Sequence, residues 1–343
     1  MARILIIRFS ALGDVAMTVP VIHSLAVQYP QHEITVLSRS VWQPLFQELP
    51  ENVSFVGADL TGKHKGFWGL NSLYSELKAM QFDYVADFHH VLRSRYLCLR
   101  FWLANVPVAS ICKGRAGKQK LVRRHHKVME NQKSSFRRYA DVLEKLGLPV
   151  LLNFSSIYGE GKGNFAEIEP VTGPKGSQKW IGIAPFAKHT GKIYPLELQE
   201  QVVAHFAADP AVKVFLFGGG KKEQEVFDTW IAKYPSIVSM IGKLNMCTEL
   251  NLMSHLDVML SMDSANMHLA SLVNIPVVSI WGATHPYAGF MGWKQLPDNA
   301  VQVDLPCRPC SIFGNKPCWR KDYACLQGIT PEMVVHRIEQ VIV

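Results

Sequence analysis

Short apolar runs alternate with stretches of helical period along most of this chain. Residues 4–7 are uniformly apolar and lead into a polar turn, Ser10-Ala11-Leu12-Gly13-Asp14; residues 15–29 then have helical spacing and stop at Pro30. Apolar runs at 34–37, 53–56 and 84–88 predict further strands, and helices are expected over 71–80, 93–105 and 134–146. Runs that are apolar at every position suit strands covered on both faces, as in parallel sheets. A second series starts at 180–184 and continues through a helix at 196–208, a strand at 213–217 and a helix at 222–234. It ends in the unit 256–286, where runs at 258–260 and 275–280 flank a helical 266–273. This β-α alternation predicts an α/β protein of parallel sheets. Residues 158–178 are rich in Gly, Pro and charge and read as a linker or edge strand. The expected organisation is two Rossmann-like domains, 1–165 and 175–328, facing a central cleft. A C-terminal helix, 329–343, opens on Thr330-Pro331-Glu332 and is expected to pack back on the first domain.

A length of 343 residues suffices for two such domains. With 48% hydrophobic and 19% charged residues the composition is globular. No apolar run approaches the ~18 residues that span a bilayer. The first apolar stretch, between Arg3 and Arg8, is too short for a signal-peptide core, so a cytoplasmic location is expected. The net charge of +8 is concentrated: residues 113–138 hold ten Lys or Arg against Glu130 alone, a local +9. Such a block implies an anionic partner: nucleic acid, an acidic membrane surface or a phosphorylated substrate; a solvated loop is the plain alternative. Cys98, Cys112 and Cys247 read as buried thiols. Cys307, Cys310, Cys318 and Cys325 cluster, and a structural zinc is conceivable there but not favoured, since the later spacings are not a zinc-ribbon pair.

Three polar turns fall at predicted carboxyl ends of strands: 10–14, 184–192 and 263–268. Ligands gather at that edge of open α/β sheets, and a helix N-terminus there suits a phosphate. The turns carry Asp14, then Thr190 and Lys192, then Asp263, Ser264 and His268. A carboxylate facing a cationic, helix-capped turn fits proton removal from an attacking hydroxyl while a phosphate departs. Local structure offers other readings: Asp14, Asp263 and Ser264 suit helix N-caps, Lys192 a surface cation, and His268 a packing residue. Gly218-Gly219-Gly220 follows a strand without a G-x-G-x-x-G spacing, and no Walker loop is present, which argues against dehydrogenases and kinases.

Taken in order, the blocks ILIIRFSALGDVAMTVPVIHSL, IGIAPFAKHTGKIYP, MDSANMHLASLVNIPVVSIWGATHP and CRPCSIFGNKPCWRKDYACLQGITPEMV resemble the family 9 glycosyltransferases, the ADP-heptose:lipopolysaccharide heptosyltransferases. The resemblance covers essentially the whole chain and implies the GT-B fold. It also implies an inverting, metal-independent transferase without cofactor, using an ADP-sugar donor and an anionic lipopolysaccharide-core acceptor. It maps the proposed base onto Asp14 and the donor-phosphate lysine onto Lys192, with Thr190 beside it. Glu223 is the candidate for the donor ribose, and Asp263, Ser264, Ala265 and His268 for diphosphate and sugar. The family's Gly-Pro in the last turn is Ala265-Asn266 here, and its Lys-Arg-Trp-Pro block is Lys192-Ile193-Tyr194-Pro195; Phe186 stands where a small residue is common. Because the family accepts its glycan on the N-terminal half, Gly13, His90, Arg93, Arg123 and Arg124 are acceptor candidates, and Asp87 and His89 follow the same strand. Peripheral contact with the inner membrane surface is implied, and no nucleic acid. Two rivals stand beside this reading: a nucleotide-sugar epimerase of similar two-domain fold, and a non-catalytic nucleic-acid-binding protein using 113–138.

Overall fold

A computed structural model describes residues 1–342 and divides them into two compact units, each built on one parallel sheet. The first unit comprises Met1–Lys113 and Ser134–Ile157. Its strands are β1 (Arg3–Ile7), β2 (Glu33–Arg39), β3 (Val53–Ala58), β4 (Tyr84–Asp87) and β5 (Val108–Ser110), in the order β3-β2-β1-β4-β5. Ile4 pairs with Ile34 on one side and Tyr84 on the other, so β1 is central and all four residues of its Ile4–Ile7 run are fully buried. The chain steps outward from β1 to β3 and then returns to β4. The carboxyl ends of β1 and β4 therefore form a switch point, where the loops diverge and leave a crevice.

The second unit comprises Gly114–Lys133 and Tyr158–Val343. Its strands are β6 (Lys179–Ala184), β7 (Val212–Leu216), β8 (Val238–Ser239), β9 (Val258–Met262), β10 (Val277–Ile280) and β11 (Ala300–Val301), in the order β11-β10-β9-β6-β7-β8. Here the switch point lies between β6 and β9, paired through Ile183 and Leu260. Their side chains join Val202, Phe206, Phe227 and Trp230 from the covering helices in one core.

Several expectations are corrected. The single helix expected over 15–29 is two, Leu12–Ala16 and Val19–Gln28. Pro20 has no N–H to continue the ladder, and the Thr18 hydroxyl donates to Val15 O at 2.7 Å, closing the first helix. Residues 158–178 are no free linker: Gly163 N donates to Ser254 Oγ at 2.8 Å and Asn251 Nδ2 to Glu167 Oε2 at 2.9 Å, fixing short helical turns on helix Met246–His255. In the terminal helix Pro331–Ile342, Val334 and Ile338 share the β6–β9 core of the second unit. Cys112 is exposed and Cys247 half-buried, against the expectation of burial. No helix among the described residues is long and apolar enough to cross a membrane.

The basic block is split. Lys113, Arg137 and Arg138 stay with the first unit, but Gly114–Lys133 belongs to the second. The reason is a set of contacts far away in sequence. Lys127 Nζ donates to Pro309 O at 2.9 Å, Gln132 N donates to Tyr287 O at 2.8 Å, the Lys118 ammonium lies 3.9 Å from the Phe290 ring centroid and the Arg124 guanidinium 4.2 Å from that of Trp319. Arg123 and Arg124, expected to serve an acceptor from the N-terminal half, thus go with the C-terminal one.

Candidate active site

At the first switch point the chain leaves β1 through Arg8 and turns into helix Leu12–Ala16, whose third residue is Asp14. Arg8 is buried, and its Nη2 lies 2.8 Å from Asp14 Oδ2 while its Nη1 donates to Phe88 O, at the end of β4, at 2.7 Å. The Ser38 hydroxyl donates to Arg8 O at 2.5 Å. Arg8 thus ties three loop starts together and holds the carboxylate at the sheet edge. Ala11 N also donates to Asp14 Oδ2, at 3.3 Å, so the capping reading of Asp14 is partly right. Both contacts fall on Oδ2. Tyr139 OH donates to Asp14 O at 3.2 Å, and burial keeps that phenol protonated.

His89 is buried beside this pair, its Nδ1 accepting from Phe9 N at 3.4 Å. Burial, reinforced by the Arg8 and Lys113 charges, pushes its pKa down to about 3. It therefore stays neutral and adds no competing cation to Asp14. Asp87 is fully buried and spends both oxygens locally: Oδ1 accepts from His89 N and His90 N at 2.9 and 2.8 Å, and Oδ2 from Ser94 Oγ at 3.0 Å. It shapes the loop. His90 and Arg93 are exposed immediately beyond it.

In the second unit the turn after β6 and the turn after β9 meet. Lys192 Nζ lies 2.8 Å from Asp263 Oδ2, and the two side chains are 15% and 4% exposed. Ser264 occupies the N-cap of helix Ala265–Leu272, yet its hydroxyl makes no capping bond and lies 3.2 Å from Ser261 Oγ. Ser264 is thus the N-cap in position without a capping bond, and Asp263 is no cap: its carboxylate goes to a lysine 71 positions away, and among the described residues no side chain caps the first-turn N–H groups that begin at Ala265. An ammonium beside uncapped helix amides at a switch point is suited to a diphosphate. His268 is buried on the first turn of that helix, and Thr190 is exposed at the start of the Lys192 turn. Glu223 sits after β7; its Oε2 accepts from Gly219 N at 2.7 Å, and burial raises its pKa. Its observed task is to hold the Gly218–Gly220 loop, with the second oxygen outside that bond.

Two supports were not legible in the sequence. Gly314, at φ +70°, lies so close to the Lys192 stem that a Cβ there would sit 2.6 Å from Lys192 Cγ. Buried Arg308 donates to Gly282 O at 2.6 Å and to Trp281 O and Thr284 O at 2.9 and 3.0 Å, fastening the cysteine-bearing loop to the end of β10. Among the described residues no group of three or more His, Cys, Asp or Glu is placed to hold an ion. Burial, with Cys307 and Cys318 nearby, raises the pKa of the Cys310 thiol.

The sequence profile of glycosyltransferase family 9 (heptosyltransferase) matches residues 70–320. A lipooligosaccharide heptosyltransferase 2 of Campylobacter jejuni is 25% identical over 171 residues, which are 48% of this chain and 52% of the relative, so the match spans about half of that relative's length. The protein of the same description from Haemophilus influenzae is 24% identical over 99% of both chains. An E. coli heptosyltransferase, WaaC, solved with ADP, has the same fold at TM-score 0.69 and 16% identity, with 98% of this chain and 99% of that one covered.

Proposed function

The chain belongs to glycosyltransferase family 9 (heptosyltransferase), and from that premise we propose that it transfers heptose from ADP-heptose to a hydroxyl of a lipopolysaccharide core. The observation that carries the reading is the pairing of Lys192 with Asp263 beside an uncapped helix at one switch point, with the Arg8–Asp14 pair at the other. The relatives bear names of heptosyltransferases of lipooligosaccharide, and the E. coli neighbour was solved with ADP. Both agree with this donor and acceptor.

The reaction is one displacement at the anomeric carbon. Asp14 Oδ1 takes the proton of the acceptor hydroxyl as its oxygen attacks, a new C1–O bond forms, and the bond from C1 to the diphosphate breaks. Attack opposite the leaving group inverts the anomeric centre. Arg8 holds Asp14 in place through Oδ2. ADP departs with the electron pair, and its charge is met by the Lys192 ammonium and the N–H groups at Ser264 and Ala265, which take the role a bound cation would otherwise fill. Thr190 and His268 contact diphosphate and sugar, and the outer oxygen of Glu223 the ribose. Gly13, His90 and Arg93 lie on the acceptor side. The acceptor is anionic and membrane-borne, so the protein works at a membrane surface.

Incubation with ADP-heptose and a heptose-deficient lipid A–Kdo acceptor tests this. ADP release coupled to an acceptor heavier by one heptosyl residue is expected. Conversion of the donor without acceptor, into an epimer, contradicts it.

A further inference from the structure

Two adjoining helices of the first unit expose apolar side chains on a scale unusual for a protein surface. Trp68 is 80% exposed and Phe67 61% on helix Gly66–Lys78; Leu92, Trp102 and Leu103 are 84%, 63% and 64% exposed on helix Leu92–Leu103, with Leu99 at 52%. Leu92, Tyr96, Leu99 and Leu103 recur every three or four residues, which sets them in one outward stripe. The opposite face, Leu97, Cys98 and Phe101, is buried in the unit's core. The stripe is continuous with the neighbouring helix: the Phe67 ring lies 5.4 Å from Tyr96 and 5.4 Å from Trp68, centroid to centroid. Arg100 pins the pair, its guanidinium 4.2 Å from the Tyr74 ring centroid and bonded to Asn71 and to Tyr96 OH.

The charge on this face has one sign where it matters. Helix Leu92–Leu103 carries Arg93, Arg95 and Arg100 and no acid, and Arg93 and Arg95 are exposed on either side of the stripe. Lys65 is exposed at the head of the other helix. Indole and leucine side chains bordered by guanidinium groups are what an anionic bilayer surface takes up: the rings enter the headgroup boundary while the cations meet lipid phosphates. The helix also starts two residues after His90, at the carboxyl end of β4, beside the end of β1 that leads to Asp14.

We propose that the face formed by Phe67, Trp68, Leu92, Leu99, Trp102 and Leu103 seats the first unit on an anionic lipid bilayer, presenting the Asp14 turn to an acceptor that projects from that surface. The assignment rests on the reading that the acceptor is membrane-borne, and it moves the membrane contact from the basic segment 113–138 to this helix pair.

Co-sedimentation of the whole chain with phosphatidylcholine vesicles, and with vesicles in which a third of the lipid is phosphatidylglycerol, tests it. Binding is expected to the anionic vesicles only, weakening as salt rises. Trp68→Ser and the double variant Leu99→Gln/Trp102→Ser alter exposed side chains outside the transfer machinery. Both should melt as the wild type does, and the double variant should lose binding at least about tenfold. Transfer to a soluble, lipid-free acceptor fragment should be unchanged in both, while transfer to acceptor embedded in vesicles falls. The proposal is overturned if wild type transfers to the soluble acceptor yet ignores anionic vesicles, or if the variants bind as wild type does. It is equally overturned if sedimentation equilibrium shows a dimer that the variants dissociate, since the face then joins two copies. Vesicle binding without transfer to any acceptor supports the docking face and fails the heptosyltransferase reading instead.

Discussion

Lys192 Nζ rests 2.8 Å from Asp263 Oδ2, bridging the turns that leave two adjacent strands of the second sheet. The pair is nearly buried, so each charge depends on the other. Lys192→Ala should cost about 3 kcal/mol, because it strands the Asp263 carboxylate away from water. Adding Asp263→Asn removes the stranded charge and should recover most of that stability. ADP affinity behaves differently. It should fall at least about tenfold with Lys192→Ala and stay low in the double variant, because the phosphate has lost its cation. Thermal melts and ADP titrations on the four proteins check this; joint recovery of stability and affinity would make the pair merely structural.

Gly314 tests how the cysteine-bearing loop supports that lysine. Its φ of +70° is costly for any residue with a side chain, and a Cβ would press on Lys192 Cγ at 2.6 Å. Gly314→Ala should destabilise the protein by about 1–2 kcal/mol. It should also raise the ADP dissociation constant, because the ammonium is displaced. Calorimetric titration with ADP measures the second effect; unchanged affinity alongside lower stability would separate the loop from the site.

A pH effect follows from Glu249, in the first turn of helix Met246–His255, where burial raises the carboxyl from its ordinary 4.5 to about 7. The folded chain keeps this proton where the unfolded chain has released it. Stability from this group is therefore fully present below about pH 4.5 and is lost as pH rises toward 7. Glu249→Gln abolishes the dependence. By chemical denaturation the variant should exceed wild type by about 2–3 kcal/mol near pH 8, with the gap closing near pH 4–5. A gap that is the same at both pH values would contradict the burial argument.

How far the sequence could be read follows from what each element depends on. Strands such as 4–7 and 180–184 are buried on both faces, so their unbroken apolar runs stand out. The edge strands Val108–Ser110, Val238–Ser239 and Ala300–Val301 have only two or three residues, too few to show a period, and were not anticipated. The site turns were visible as polar breaks after strands, but their partners were not. Arg8 looked like the flank of an apolar run, and its bond to Phe88 O crosses 80 positions. Nothing local distinguishes Lys127 from the other cations of its block, yet its bond to Pro309 O helps carry the segment to the other unit. The bonds that Asp87 makes within its own loop are equally invisible in the sequence.

Asp14 is the base on which the proposed transfer depends. Asp14→Asn preserves the size of the side chain and can still be held by Arg8, but it cannot take a proton from a hydroxyl. With ADP-heptose and the lipid A–Kdo acceptor, the variant should lose about 10²–10⁴-fold in kcat. Its ADP affinity should stay near wild type, since the donor residues lie in the second unit, while its melting temperature should fall, since buried Arg8 loses its counter-charge. Transfer at the wild-type rate by a correctly folded Asp14→Asn protein would contradict the proposed chemistry at its centre.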